Sequence, residues 1–387
     1  MSAPPLTTAR TAGLAAAGLA LIAVCYGLAR FAYGLFVPSF RAAFDLDAAT
    51  AGIIAGGSYV AYGAGVLLAT ALTPRLGARI VAVAAGVLAT AGTLLIAVAP
   101  DAGILAVGVL IAGSSTGVAS PPLAHAVARR VAERRRDRLQ TIVNAGTGLG
   151  VLVSGPVALV AADQWRLAWA AFALIAAVVT VWAAFAVPSA RDGAPASRSR
   201  LGELVLPPGA VRLYAAAAVM GVATAAMWTF AQDLLITEGG HPRPLATTAW
   251  IVLGACGLIG AAAGDLAARI GLAASWISLM LALALSTAVV AWLPGSGTVA
   301  IVASGVFGAV YIALTGILLI WSTRVHHAQP SRGVGLVFLA LALGQALGAP
   351  LLGLVADAAG LIPAFLAAAV VSAVGAVLRP RADPARP

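Results

Sequence analysis

Twelve apolar stretches follow one another along the chain and leave little sequence between them. A helix needs about 20 apolar residues to cross the hydrocarbon core of a bilayer. The stretches are continuous rather than alternating, which excludes a transmembrane β-barrel. The chain of 387 residues is therefore predicted to be an all-α integral membrane protein with twelve transmembrane helices. The predicted spans lie at about residues 12–38, 50–72, 79–99, 102–124, 140–162, 167–187, 211–236, 246–268, 272–293, 298–322, 333–356 and 361–378.

The composition excludes several other classes of protein. Hydrophobic residues make up 61% of the chain and charged residues only 9%, whereas charged residues are about 25% of a typical soluble domain. Both cysteines, Cys25 and Cys256, lie inside apolar stretches, so neither a disulfide framework nor a metal site is predicted. No cofactor is expected. The chain is not expected to be an enzyme, because histidine–acid pairs at membrane depth are absent from the sequence.

The distribution of arginine predicts how the chain is oriented in the membrane. All 23 basic residues are arginine. With the N-terminus in the cytoplasm, 19 of them fall in cytoplasmic segments and three in outer segments, as the positive-inside rule requires. This bias needs an even number of spans and places both termini in the cytoplasm. It also explains the net charge of +10 without nucleic acid as a partner.

The two halves of the chain match each other at a fixed offset. Two six-helix halves in parallel repeat are typical of transporters, whose substrate site lies near the midplane of the membrane. The sequence therefore predicts an N-terminal half at 1–187, a cytoplasmic linker at 188–210 and a C-terminal half at 211–387. The pairs separated by 194 residues include Gly27 with Gly221, Arg75 with Arg269, Gly77 with Gly271, and Gly150 with Gly344.

The short loops after the second span of each half carry a motif that can be named. The segments TALTPRLGA at 70–78 and GDLAARIG at 264–271 resemble the loop signature G-x-L-x-D-R-x-G-R of the major facilitator superfamily. The resemblance covers essentially the whole chain and implies a secondary transporter that works by alternating access. It assigns a gating role to the matching residues Arg75, Gly77, Arg269 and Gly271. Asp265 is added to them as a local substitute for the acid that Ala268 replaces.

Two further spans carry narrower resemblances. Arg30, Phe31, Tyr33 and Pro38 in the first span resemble a bacterial branch related to cyanate and nitroimidazole transporters, most of whose substrates are unassigned. Gly155-Pro156 in the fifth span is similar to the Gly-Pro motif of proton-coupled exporters. Gly155-Pro156 in the fifth span and Pro121-Pro122 in the fourth are predicted to kink their helices.

Arg30 is the main candidate for a functional residue because it is the one charge deep within an apolar stretch. An arginine near the bilayer centre costs roughly 2.5–3.5 kcal/mol on insertion scales, so it should face the protein interior or a wet cavity. Tyr26 and Tyr33 share its face at helical spacing. Two interpretations stay open: the three residues bind an anionic or carboxylate-bearing substrate, or Arg30 fixes the packing of neighbouring spans.

The seventh and tenth spans supply the other candidates. Trp228 and Gln232 share a helical face with Thr224, and Tyr311 and Thr315 lie about one turn apart. Asp233 is a candidate for proton coupling, against the alternatives that it is an interfacial acid or a partner of Arg30. Four weaker candidates are interpreted as helix–helix hydrogen bonds: Tyr59, Tyr62, Asn144 and Gln345.

We therefore expect a secondary active transporter, working as a monomer, that moves a small solute, favoured to be an organic anion. It is expected to lie in the cytoplasmic membrane of a bacterium, and its partners are expected to be the bilayer, the small-molecule substrate, and protons or another coupling ion. A proton-coupled exporter of amphipathic drugs is the alternative. A non-transporting membrane sensor or a membrane enzyme is the remote alternative.

Overall fold

The computed structural model describes residues 7–161, 164–189, 206–327 and 330–381. Within these residues, eleven helices are long and apolar enough to cross a membrane, and a twelfth, shorter apolar helix follows them. The all-helical prediction with twelve spans is thereby confirmed. The helices, numbered one to twelve as spans, are Ala9–Phe44, Ala48–Leu76, Ala78–Ala97, Ala102–Arg130, Arg138–Ala161, Trp165–Ala186, Ala210–Glu238, Arg243–Gly260, Leu272–Trp292, Gly297–Val325, Arg332–Ala359 and Leu361–Gly375.

The first span is longer than its apolar stretch. The sequence predicted that it ends near Pro38 and counted Arg41 among the outer segments. The predicted end of the span is wrong, because the helix continues through Pro38 and Arg41 to Phe44. The charge of Arg41 is accommodated by a carboxylate on another span, described below. Most of the predicted linker at 188–210 lies outside the described residues.

Among the described residues, four spans depart from regular α-helix. The first contains a π-helical segment at Ala23–Phe31, and the seventh ends in a second one at Leu234–Glu238. The fifth is interrupted by a turn at Ala145. The eighth ends within a 3₁₀ turn at Leu258–Ala262, which a short α-helix follows to Ile270. By contrast, the fourth span is one continuous helix that includes Pro121 and Pro122. Gly155 and Pro156 likewise lie inside the helix Gly146–Ala161.

Two compact units account for the internal contacts of the chain. The first contains Met1–Phe36 and Gly57–Leu204, and the second contains Val37–Gly56 and Val205–Pro387. The end of the first span and the beginning of the second therefore pack within the unit that holds spans seven to twelve. Arg41 is one of the residues grouped in this way.

Glycines at equivalent places allow equivalent helices to approach closely in the two units. A Cβ atom on Gly27 would lie 2.2 Å from the backbone carbon of Gly150, and one on Gly221 would lie 2.9 Å from the Cα of Gly344. Spans one and five in the first unit, and spans seven and eleven in the second, therefore meet backbone to backbone. These are two of the pairs that the 194-residue offset identified in the sequence.

Candidate functional site

Arg30 lies in the π-helical segment of the first span, 14 residues before the span ends at Phe44. At 1.5 Å per residue this places it about 20 Å along the helix from that end. The residue is only 7% exposed. Cys25, at the start of the same segment, has a carbonyl that accepts a hydrogen bond of 2.8 Å from the hydroxyl of Thr116 on the fourth span. A side chain of another span thus satisfies a carbonyl of the interrupted helix.

Aromatic rings surround the guanidinium of Arg30. Its central carbon lies 4.5 Å from the ring centroid of Tyr59, 4.5 Å from that of Tyr62 and 5.1 Å from that of Phe31. Both tyrosines belong to the second span and are buried. A cation within about 6 Å of an aromatic centroid is attracted by the ring, by about 2 kcal/mol where water is excluded. The rings therefore offset much of the cost of placing Arg30 at this depth.

Tyr26 completes this group, which we call the Arg30 cluster: Tyr26, Arg30, Phe31, Tyr59 and Tyr62. The Tyr26 ring meets the Tyr62 ring edge to face at 6.4 Å and lies 6.5 Å from the ring of Phe31. Tyr26 and Phe31 are five residues apart, which is the repeat of a π-helix rather than an α-helix. The Tyr26 hydroxyl also forms a hydrogen bond of 3.0 Å with that of Ser120 on the fourth span.

The cluster combines donors of hydrogen bonds with flat apolar faces. Guanidinium has five N–H donors in one plane and matches a carboxylate in a bidentate manner. The rings of Phe31, Tyr59 and Tyr62 place apolar surface within 5.1 Å of the central carbon of Arg30. The tyrosine hydroxyls add further polar groups. Such a group of residues can bind a small anion that carries a planar apolar part.

The sequence identified this cluster only in part. It named Tyr26 and Arg30, and it gave Tyr59 and Tyr62 the weaker role of helix–helix contacts. Tyr33, the third predicted member, is 4% exposed and lies in the α-helical segment after the cluster. Ser120 was missed, although a serine directly before the Pro121-Pro122 pair is the type of residue that bonds across membrane helices.

In the second unit, three aromatic rings pack around Trp228. Its ring centroid lies 5.1 Å from Tyr311, 5.8 Å from Trp250 and 5.8 Å from Phe307, and each pair meets edge to face. Phe307 and Tyr311 stack at 6.0 Å on the tenth span. The predicted candidates Trp228 and Tyr311 thus come together, and we call this group the Trp228 cluster. Its members are all at most 5% exposed.

The hydroxyl and amide candidates of the second unit bond to backbone carbonyls. Gln232 donates from Nε2 to the carbonyl of Ala246 on the eighth span at 2.9 Å. Thr315 donates to Ile312 within its own helix at 2.7 Å. Polar side chains in helices commonly take a nearby carbonyl in this way. These two residues therefore contribute to packing in the described arrangement, and their role in substrate binding stays a prediction.

Asp233 forms an ion pair with Arg41 inside the second unit. The carboxylate side chain is 2% exposed, whereas that of Arg41 is 28% exposed. Arg41 also donates from Nε to the carbonyl of Leu46 at 3.1 Å, which fixes the direction of its guanidinium. The sequence proposed Arg30 as a partner for Asp233 and did not consider Arg41, because an arginine beyond the apolar stretch was interpreted as part of a loop.

A second carboxylate holds the beginning of the second span. Asp357 on the eleventh span accepts hydrogen bonds from the backbone N–H groups of Ala48 and Ala49, at 2.8 and 2.7 Å. These are unsatisfied donors at a helix N-terminus, where negative charge is stabilised. Asp47 accepts a third bond from the N–H of Thr50 at 2.7 Å. Hydrogen bonds from the Thr50 side chain and backbone lower the pKa of Asp47 below its ordinary value.

The gating-loop residues lie at the ends of helices and at the glycines that separate them. Gly77 and Gly271 precede the third and ninth spans with φ angles of 91° and 82°, which L side chains rarely adopt. The repeated glycine thus has the same conformational cause in both units. Arg75, Asp265 and Arg269 are exposed and form no ion pair within the ranges that the structure describes. Their gating role stays a prediction.

Another polar contact lies at the end of the tenth span. The Tyr214 hydroxyl and Nε2 of His326 are 2.7 Å apart, and their rings stack at 5.8 Å. Burial and the nearby charge of Arg332 lower the pKa of His326 below its ordinary value. Both effects favour the neutral form of His326. The sequence gave no role to either residue.

Comparison with known families and structures agrees with this architecture. The family model described as Major Facilitator Superfamily matches residues 19–331. Among solved structures, the fold resembles a peptide transporter POT variant, with a TM-score of 0.78, 14% identity and coverage of 97% of this chain and 95% of that chain. It also resembles a variant of nucleoside transporter NupG, with a TM-score of 0.76, 14% identity and coverage of 94% and 98%. At such identities the likeness shows the fold alone.

A curated relative is more similar in sequence. The transcription regulatory protein OpdE of Pseudomonas aeruginosa is 25% identical over 290 residues, which cover 73% of this chain and 72% of the relative.

Proposed function

The chain belongs to the Major Facilitator Superfamily and is a membrane protein of transporter fold; from this premise we propose that it is a secondary transporter that moves a small organic anion by alternating access. We place it in the cytoplasmic membrane of a bacterium with both termini in the cytoplasm, on the support of the arginine distribution. Transport rather than catalysis is the activity we assign, because the structurally similar proteins named above are transporters.

The Arg30 cluster is the observation that carries the proposal. A buried arginine in a membrane span is expensive and by default marks a functional site. Here the central carbon of the guanidinium lies 4.5 Å from the ring centroids of both Tyr59 and Tyr62. This arrangement favours a carboxylate or another planar anion over a cation. Arg30 repels positive charge, and its guanidinium donates hydrogen bonds but accepts none.

The experiment is a thermal-shift screen of purified protein with small carboxylates, inorganic anions and lipophilic cations. A ligand at 100 times its dissociation constant adds about 2.7 kcal/mol to the free energy of unfolding, which is readily measured. We expect stabilisation by carboxylates in the wild type and its loss in Arg30→Ala. Arg166→Ala is the matched control, because Arg166 also lies over an aromatic ring, that of Trp165, but is exposed.

Uptake of the stabilising anion into proteoliposomes then tests transport itself. If Arg30→Ala unfolds, Tyr62→Phe is the second variant, because it keeps the ring and removes only its hydroxyl. We expect Tyr62→Phe to lower the affinity for the anion by a few-fold. Equal stabilisation of wild type and Arg30→Ala by every anion would contradict the proposal. Arg30 would then have the structural role that the sequence left open.

Asp233 supports a proposal for coupling. The side chain of Asp233 is 2% exposed and paired with Arg41. When it leaves Arg41, the buried carboxylate can be neutralised by a proton instead, so we propose that protons are the coupling ion. Asp233→Asn should abolish accumulation driven by a pH gradient while counterflow of substrate continues. Asp45→Asn, an exposed acid in the same unit to which no role is assigned, is the control. Accumulation that survives Asp233→Asn would contradict the assignment.

Two other functions have a specific observation in their favour. The Trp228 cluster is apolar and suits an amphipathic substrate, which favours the drug exporter; stabilisation by lipophilic cations in both wild type and Arg30→Ala would support it. The name of the relative OpdE, a transcription regulatory protein, favours a membrane sensor. A sensor would bind a ligand in the thermal-shift screen but would not move it into proteoliposomes.

A further inference from the structure

A pocket of about 480 Å³ opens beside the ends of four spans in the first unit. It lies away from the Arg30 cluster, and none of the functions discussed above uses it. Three arginines line it, each from a different helix: Arg10 near the start of the first span, Arg79 near the start of the third, and Arg130 at the end of the fourth. Phe185, near the end of the sixth span, and Ser189, just after it, also line the pocket.

The charge of this pocket is positive. Among the residues that the structure describes, no acidic residue lines it and none of its three arginines forms an ion pair. Arg79 is held in place because its Nε donates to the carbonyl of Val187 at 2.7 Å. Nε of Arg130 is buried and forms no hydrogen bond among the described residues. Three guanidinium groups around one cavity repel each other, and a bound anion relieves that repulsion.

An apolar stripe runs away from the pocket along the sixth span. Leu174, Val178, Val181 and Phe185 are exposed at spacings of four, three and four residues, so they lie on one face of the helix. Phe185 is 80% exposed and also lines the pocket. The third span packs beside the sixth and is likewise exposed along one face, at Ile80, Val87 and Leu94. Both stripes begin at the pocket and continue over surface suited to lipid chains.

We propose that this pocket binds an anionic phospholipid, with the phosphate among Arg10, Arg79 and Arg130 and the acyl chains along the two stripes. Basic pockets between transmembrane helices recognise anionic lipid headgroups. A cavity of about 480 Å³ is within the range of small-ligand sites. The stripes decide between a lipid and a soluble anion, because a soluble anion gains nothing from apolar surface outside the pocket.

The test compares phosphatidylglycerol with phosphatidylcholine, added to the purified full-length protein in detergent. The readouts are the melting temperature and the number of lipids that remain bound in native mass spectrometry. We expect phosphatidylglycerol to bind and stabilise the wild type, and phosphatidylcholine to do neither. An arginine near the membrane surface contributes about 1 kcal/mol to binding of anionic lipid, or about fivefold in affinity. The double variant Arg79→Gln/Arg130→Gln should therefore bind phosphatidylglycerol about 30-fold more weakly.

The control variant is Arg135→Gln/Arg138→Gln, which loses the same charge from exposed positions in the same unit and should keep wild-type affinity. Equal loss in both double variants would overturn the proposal, because the effect would then reflect net charge alone. Glycerol 3-phosphate, which has the headgroup charge without the chains, distinguishes the sources. If it stabilises the wild type as strongly as phosphatidylglycerol does, the pocket is a site for soluble anions and the lipid proposal is wrong.

A second variant keeps the proposal testable if the arginine variant fails to fold. Phe185→Ala removes an exposed ring and should leave the fold intact. We expect Phe185→Ala to lower the affinity for phosphatidylglycerol about tenfold, because an acyl chain covers part of the ring in the proposed complex. The response to glycerol 3-phosphate should not change. Unchanged affinity for phosphatidylglycerol in this variant would contradict the placement of the chains.

Discussion

The Arg41–Asp233 ion pair joins two groups with unequal access to water, and this inequality predicts unequal costs for removing either partner. Arg41→Gln leaves a carboxylate that is 2% exposed without its counter-charge. Breaking a buried pair from one side costs about 3–5 kcal/mol, because the remaining charge is buried and uncompensated. Asp233→Asn instead leaves Arg41, which is 28% exposed and keeps its bond to Leu46. Its cost should be about that of one charged hydrogen bond, roughly 2 kcal/mol.

The double variant Arg41→Gln/Asp233→Asn should be more stable than Arg41→Gln alone, because two neutral amides replace an unpaired charge. The coupling energy of the cycle should then be at least about 2 kcal/mol. The measurement is thermal unfolding in detergent, followed by tryptophan fluorescence. At roughly 2 °C per kcal/mol, Arg41→Gln should lower the melting temperature by about 6–10 °C and Asp233→Asn by about 4 °C.

Two exposed residues of the same unit serve as controls: Arg324→Gln and Asp265→Asn should each change the stability by no more than about 0.5 kcal/mol. The reasoning is refuted if Asp233→Asn costs as much as Arg41→Gln, or if the two costs add without coupling. Either outcome would mean that the exposure of each partner does not decide the cost of leaving it alone.

Three further predictions concern packing and pH. Gly221→Ala should destabilise the protein by about 1–3 kcal/mol, because the new Cβ would lie 2.2 Å from the carbonyl oxygen of Leu341, whereas Gly335→Ala, with nothing within 4 Å, should be neutral or slightly stabilising in the same thermal assay. Because the pKa of Asp47 is lowered by bonds from Thr50, its contribution to stability is present above the ordinary pKa of about 3.9 and lost as the pH falls further; Asp47→Asn should therefore be less stable than wild type at pH 7 and equal to it near pH 2. Because the pKa of His326 is lowered, stability should be full above about pH 6.5 and decline as the pH falls from there to the pKa of the folded state; unfolding measured from pH 5 to 8 should show this slope in wild type and a weaker slope in His326→Gln.

The number of spans and the repeat were predictable because both leave local marks in the sequence. Twelve apolar stretches of this length can cross a bilayer only as helices. The glycine pairs mark places where two helices touch backbone to backbone, which only glycine permits. The end of the first span was not predictable, because an arginine beyond a proline is typical of a loop. Only its partner on the seventh span explains why the helix continues.

The candidate site was predictable to the level of Arg30 and Trp228 but not to the level of their neighbours. Helical periodicity reports which residues share a face, and it assumes 3.6 residues per turn. The π-helical segment Ala23–Phe31 changes that repeat and brings Tyr26 to Phe31. The rings of Tyr59 and Tyr62 come from another span, so no local pattern connects them with Arg30. For Gln232, helical spacing gave no sign that its amide donates to the carbonyl of Ala246 on another span.

In each unit, a buried charged residue lies at an interruption of regular helix. Arg30 is inside the π-helical segment of the first span, and Asp233 directly precedes that of the seventh. In both places a threonine hydroxyl bonds to a carbonyl of the interrupted turn: Thr116 to Cys25, and Thr237 to Asp233. A π-helical turn is energetically poorer than an α-helical one and is found mostly at functional sites. Since burial of a charge and loss of regular helix each cost stability, their coincidence in both units favours function over packing as the reason for keeping Arg30 and Asp233.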